Sequence, residues 1–189
     1  SVGKTTTKEM IGEVLKKLGR IKLSPENFNN EIGVGKTIFQ TDVEDKALVL
    51  EMGMRGLGQI ENLSKYSEPD IAVITNIGTA HIGLLGSKKN ITYAKCEICK
   101  FLNPKGVLII PANDLFLEKT LKEFWKGRVI KVELFNVDNQ KQSLKKDEHL
   151  RGFYNTLNKT ILIEENTFEI SFEGFHNASN FLFAYAVAK

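Results

Sequence analysis

The chain opens on Gly3-Lys4-Thr5, and directly behind that tripeptide Met10, Ile11, Val14, Leu15 and Leu18 recur at helical spacing until Gly19 is placed to end the helix. A glycine, a lysine and a hydroxyl residue leading into an amphipathic helix constrain the fold more than any other feature here. The first-turn N–H groups of such a helix lack intrahelical partners and favour anions. The lysine neutralises phosphate oxygens, and the hydroxyl suits a divalent cation. GKT alone is a common tripeptide, equally compatible with a surface helix bearing an exposed lysine; the helical period behind it favours a nucleotide site. The run SVGKTTT reads as the second half of a phosphate loop, so a first glycine and a strand are expected ahead of Ser1.

Further along, short apolar runs alternate with amphipathic segments. ALVLE (Ala47 to Glu51), IAVIT (Ile71 to Thr75) and VLII (Val107 to Ile110) read as strands, and Gln59 to Tyr66, Asn90 to Leu102 and Leu115 to Trp125 as covering helices. Such alternation predicts an α/β fold, a mostly parallel sheet flanked by helices. From about Val129 the character changes. TILIEE and TFEISFEG, with a turn at Asn166, predict an antiparallel pair on the sheet edge or a small appended sheet, and HNASNFLFAYAVAK begins a helix. The lysine-rich stretch Gln140 to Glu148 reads as a solvated loop. Because both ends fall inside elements, residues 1–189 are expected to be one domain of a longer polypeptide, with domains beyond each end.

The 189 residues, 42% of them apolar, suffice for one domain with a substantial core. A formal charge of +3, with lysines scattered among acids, gives no face that would follow a nucleic-acid backbone. No apolar run is long enough to span a bilayer and no signal peptide opens the chain, so a cytoplasmic location is expected. Cys96 and Cys99 have no second pair or adjacent histidine to complete a zinc site, and read as reduced thiols.

Several residues could carry chemistry. Glu51 ends a strand, where open α/β sheets bind ligands, and could hold magnesium; the plain alternative is a solvated strand end. Thr75, Asn76 and Gly78 bring His81 to the same edge, where a neutral imidazole could ligate a cation or simply sit in a loop. Lys95 in YAKCEI passes for a surface lysine pairing with Glu97 or its neighbours. His176, Asn177 and Asn180 open the last helix, where Asn amides could read an adenine edge or merely start the helix.

Taken in order, GKTTT, NFNNEIGV, EMGMRGLGQI, ITNIGTAHI, GS, YAKCEI and GFHNASN resemble the central ATP-binding domain of the Mur ligases. The likeness covers almost the whole chain and is thin between Leu134 and Ile161. It is closest to the branch that joins D-alanyl-D-alanine to UDP-N-acetylmuramoyl-tripeptide, and those two substrates are the implied partners, bound through domains outside this chain. The resemblance implies an ATP-dependent ligase that forms an acyl phosphate, with ATP and Mg2+ as cofactors, a monomer, and no turnover by this chain alone. It assigns Gly3, Lys4, Thr5 and Thr6 to the ATP phosphates. Thr5, Glu51, His81 and Lys95 as a carbamate go to magnesium, with Lys4, Lys95 and His81 counted as catalytic. Asn29 and Asn30 fall in a loop near the phosphates, and His176, Asn177 and Asn180 match adenine-side positions. Gly35 departs from the family, which usually has proline there. Other ATP-dependent ligases with this domain, such as folylpolyglutamate or cyanophycin synthetases, and an ATP-binding module without activity are the alternatives. A GTPase-like switch is disfavoured, since no NKxD sequence is present.

Overall fold

A computed structural model of the chain describes residues 3–26, 28–78, 82–137 and 149–189. Helix α1 (Lys4–Leu15) runs into a 3-10 turn and stops at Gly19, whose φ of 124° a side chain would resist. After β1 (Ile21–Leu23) come α2 (Glu31–Phe39), β2 (Ala47–Val49), α3 (Gln59–Ser67) and β3 (Ile71–Val73). Then follow α4 (Ile82–Leu85), α5 (Lys88–Cys96) with a 3-10 extension over Glu97–Phe101, β4 (Val107–Pro111) and α6 (Leu115–Leu121). Strands β5 (Arg128–Asn136), β6 (His149–Asn155), β7 (Thr160–Ile163) and β8 (Asn166–Glu169) precede α7 (Phe175–Ala188). The expected strands and helices are present with bounds shifted by a few residues, while β1, α2, α4, β5 and β6 were not foreseen.

The strands form two ladders. β1 and β2 pair in parallel, and β3-β4-β5-β6-β7-β8 follow one another in a six-stranded sheet. Pairing is parallel from β3 to β6 and antiparallel from β6 to β8, so the change of direction comes at β7 rather than near Val129. The antiparallel pair lies on the sheet edge, as expected, but its turn is at Glu164 and Glu165, with Glu164 at φ 54°, and Asn166 is already in β8. The lysine-rich stretch lies outside the described residues.

VLII is a continuous apolar run because β4 is covered on both faces. Ile109 packs with Leu182 and Phe183 of α7, whereas Leu108 and Ile110 pack with Leu117 and Leu121 of α6. Helix α1 joins the first layer through Met10 and Ile11 against Ala184 of α7. A third cluster, including Val34, Leu63 and Ile91, ties α2, α3 and α5 together.

The two ladders do not meet: β2 pairs with β1 and β3 with β4. Between them runs a cavity of about 940 Å³, lined by every residue from Lys46 to Arg55 and every residue from Ser67 to Asn76. A sheet face would offer alternate residues. Unbroken lining on both sides means that two backbone edges face each other across a slot, floored by Ile11 and Leu15 of α1.

Candidate functional site

The parallel strands β2 and β3 end toward the same rim of the slot, and α1 begins there. Gly3 caps α1 with φ 88° and no side-chain cap, and the first turn holds no acidic residue, so its N–H groups are available to an anion. A Cβ on Gly3 would lie 2.7 Å from Asn180 Oδ1, so glycine is required both for its backbone angle and for the close approach of α7.

At the end of β2 the chain turns Glu51 inward, where it is only 4% exposed. Thr5 Oγ1 donates to its Oε2 at 2.6 Å and Asn29 Nδ2 donates to its Oε1 at 2.9 Å. Lys4 Nζ lies 3.7 Å from Oε1. A buried carboxylate is tolerated only with such partners. The Asn29 backbone is fixed in turn, because Gly53 N–H donates to its carbonyl at 2.7 Å. Neither Asn29's contact with Glu51 nor the bond from Glu51 N–H to Ser24 Oγ at 3.0 Å could be read from spacing.

Across the rim, Lys95 Nζ donates to the Asn76 carbonyl at the end of β3. The pairing with Glu97 is not formed. Instead Glu97, 2% exposed, accepts from Gly58 N–H at 2.7 Å and Glu61 N–H at 3.3 Å, holding the start of α3. Burial, and secondarily the Lys4 charge, lower the Lys95 pKa to about 8. Lys4, Glu51, Asn76, Gly78 and Lys95 thus line one end of the same cavity.

The remaining candidates divide. Thr6 is half-buried in α1. Asn30 caps α2, its Oδ1 accepting from Gly33 N–H at 2.9 Å, and is committed to that bond. Asn180 is buried against Gly3 at the start of α1. Asn177 donates to the Glu173 carbonyl at 2.8 Å, and His176 is exposed beside Gly174. His81 lies outside the described residues. A second GKT, Gly35-Lys36-Thr37, is inside α2, where Thr37 is buried and donates to Gly33 O at 2.7 Å, so it forms no phosphate loop.

The cysteines are buried and free. Burial pushes the Cys99 thiol up to about 12 and raises Cys96 as well. Among the described residues no helix is long and apolar enough to cross a membrane.

The family profile of the Mur ligase middle domain matches residues 1–188. The chain is 39% identical over 189 residues to the UDP-N-acetylmuramoyl-tripeptide--D-alanyl-D-alanine ligase of Synechocystis, covering 100% of the chain and 39% of that protein. Among solved structures it resembles MurF from Acinetobacter baumannii, with a TM-score of 0.81 at 28% identity, over 100% of this chain and 40% of that one. It also resembles MurF ligase from Thermotoga maritima in complex with ADP, with a TM-score of 0.75 at 26% identity, over 99% of this chain and 43% of that one. The chain therefore spans about two fifths of the length of these relatives.

Proposed function

The chain belongs to the Mur ligase family as its middle domain, and from that premise we propose that it is the ATP-binding part of a cytoplasmic ligase joining D-alanyl-D-alanine to UDP-N-acetylmuramoyl-tripeptide. The observation that carries this reading is the Thr5 hydroxyl on the buried Glu51 carboxylate, beside Lys4 and the uncapped start of α1. A hydroxyl and a carboxylate are hard oxygen donors of the kind magnesium takes together with phosphate oxygens, so the residues present fit that ion. Bound magnesium would supply positive charge to the phosphate oxygens as the γ-phosphoryl group leaves.

The chain's own residues do the rest. The N–H groups at the start of α1 and the Lys4 ammonium hold the phosphates and counter charge on the transferring group. The tripeptide carboxylate attacks the γ-phosphorus and releases ADP, leaving an acyl phosphate. The amine of D-alanyl-D-alanine then attacks the acyl carbon, expelling phosphate and forming the amide. Lys95 is suited to carry a carbamate. Its lowered pKa leaves about a tenth of the amine neutral at pH 7, able to add to CO2 with loss of a proton. The resulting anion would support a cation instead of repelling it. His81 belongs with the metal in this reading. Asn180 backs the phosphate loop, while His176 and Asn177 remain candidates for the adenine side.

The same reading accounts for the slot. A residue in a covered sheet fills about 160 Å³, from a rise of about 3.3 Å, a strand spacing of about 4.8 Å and a layer separation of about 10 Å. The 940 Å³ cavity thus has room for at most about six residues, and because its rim end holds Lys4, Glu51 and Lys95, a shorter strand leading up between β2 and β3 into Gly3 fits the remainder.

Replacing Lys4 by Ala in the full-length protein tests the assignment. ATP-dependent ligation, followed as phosphate release with both substrates present, is expected to vanish while circular dichroism stays native. Near-normal turnover would remove the phosphate-loop role.

A further inference from the structure

Lys8 is 3% exposed, yet nothing in the ligation chemistry uses it. A lysine head group at that depth must have partners. Its Nζ donates to the Ser24 carbonyl at 2.6 Å and the Glu26 carbonyl at 3.0 Å, and lies 3.0 Å from the exposed Glu9 carboxylate. Both carbonyls belong to the segment leaving β1, and Glu26 presents the second from a left-handed φ of 39°. Ser24 is wholly buried and bonded twice to the next strand. Its N–H donates to the Val49 carbonyl at 3.0 Å, and its Oγ accepts from Glu51 N–H at 3.0 Å.

Lys4 and Lys8 are four residues apart and share one face of α1. The first reaches the Glu51 carboxylate directly, and the second reaches the Glu51 backbone through Ser24. Helix α1 therefore grips the strand end carrying Glu51 at two points one turn apart. We propose that Lys8 is a positioning residue for the phosphate-site cation, holding the β1 exit so that Glu51 stays within reach of Thr5. The inference rests on the nucleotide reading above. An apolar side chain would fill the same space without the desolvation of an ammonium group; what it could not supply is the tie to two carbonyls.

The test compares Lys8→Met and Ser24→Ala with Ala184→Gly, a control that loosens the α1–α7 packing away from Glu51. In the full-length enzyme, ADP affinity is measured by calorimetry with and without magnesium, and exchange of the Glu51 amide by hydrogen–deuterium mass spectrometry. Lys8→Met and Ser24→Ala are expected to lose about tenfold in magnesium-dependent ADP affinity, as supporting groups behind a metal ligand typically do. Magnesium-free ADP binding should hold, and the Glu51 amide should exchange faster. Should Lys8→Met fail to fold, Ser24→Ala decides alone. Unchanged magnesium dependence, or an equal loss in the control, overturns the proposal. A wild-type enzyme whose ADP binding ignores magnesium would instead overturn the functional reading, and Glu51 exchange would still decide whether Lys8 holds that strand end.

Discussion

Glu51→Gln separates the proposed metal role of this carboxylate from its structural one. The substitution keeps the shape and removes the charge. A glutamine can turn its carbonyl toward Asn29 Nδ2 and its amide toward Thr5, whose hydroxyl accepts as readily as it donates, so both contacts survive in number. What changes is their strength. Bonds to a charged group contribute about 1.5–3 kcal/mol and neutral ones about 0.5–1.5 kcal/mol, so two weakened bonds remove about 2 kcal/mol or a little more. Relief from burying a carboxylate offsets part of that, leaving a net loss of about 1–2 kcal/mol. For a domain of this size that lowers Tm by about 2–8 °C, measurable by scanning fluorimetry. Affinity for ADP with magnesium, by calorimetry, should fall by somewhat more than the stability. Loss of one charge-assisted interaction of 1.5–3 kcal/mol corresponds to about ten- to a hundred-fold. Magnesium-free ADP binding should change little, or improve as negative charge leaves the phosphate site. A variant with native magnesium-dependent affinity would refute the reasoning, whatever its Tm.

Other expectations follow from the buried groups and the slot. Lys95 holds its proton less tightly when folded, at a pKa of about 8 against 10.5, so the unfolded chain binds more protons across that window and stability rises with pH through it. The cost of burying the charged lysine is full below pH 8 and gone above 10.5. In CO2-free urea titrations the wild type should therefore gain on Lys95→Met by up to about 3 kcal/mol between those limits, and a constant difference would contradict the burial argument. Cys96 and Cys99 should resist Ellman's reagent at pH 8 in the folded chain and both react once denatured; rapid labelling of the native state would show the helix end to be open. Extending the chain by the strand proposed to fill the slot should raise Tm and protect the Leu48 and Val73 amides, which face the slot, from exchange, and no change in either would exclude that strand.

Legibility followed the range of the interactions. The glycine-led start of α1, the strand VLII and the terminal helix could be read because periodicity and local chemistry specify them. Glu51 could be placed at the ligand rim because its strand ends there. Its partners could not: Asn29 arrives from a loop 22 positions away, and only tertiary structure sets which amide faces it. β5 was obscured by Lys131 and Glu133, charged residues alternating with Val132 and Leu134; Lys131 pairs with Glu118 of α6 and Glu133 with Arg151 of β6. α2 was hidden by its two glycines, though Asn30 capping Gly33 is a signal the sequence carried. Asn180 reads as an adenine-side or helix-start amide; that the packing of α7 on α1 also brings it against Gly3 is a juxtaposition no spacing encodes.

Gly3 to Thr5 and Glu51 are expected to share one nucleotide and its cation. A crystal structure of the full-length enzyme with ADP and magnesium measures this directly. The expected result is a β-phosphate on the N–H groups at the start of α1, with a cation about 2.1 Å from Thr5 Oγ1 and linked to Glu51. A nucleotide seated away from that turn, or a cation that leaves Glu51 bonded only to Thr5 and Asn29, would contradict it.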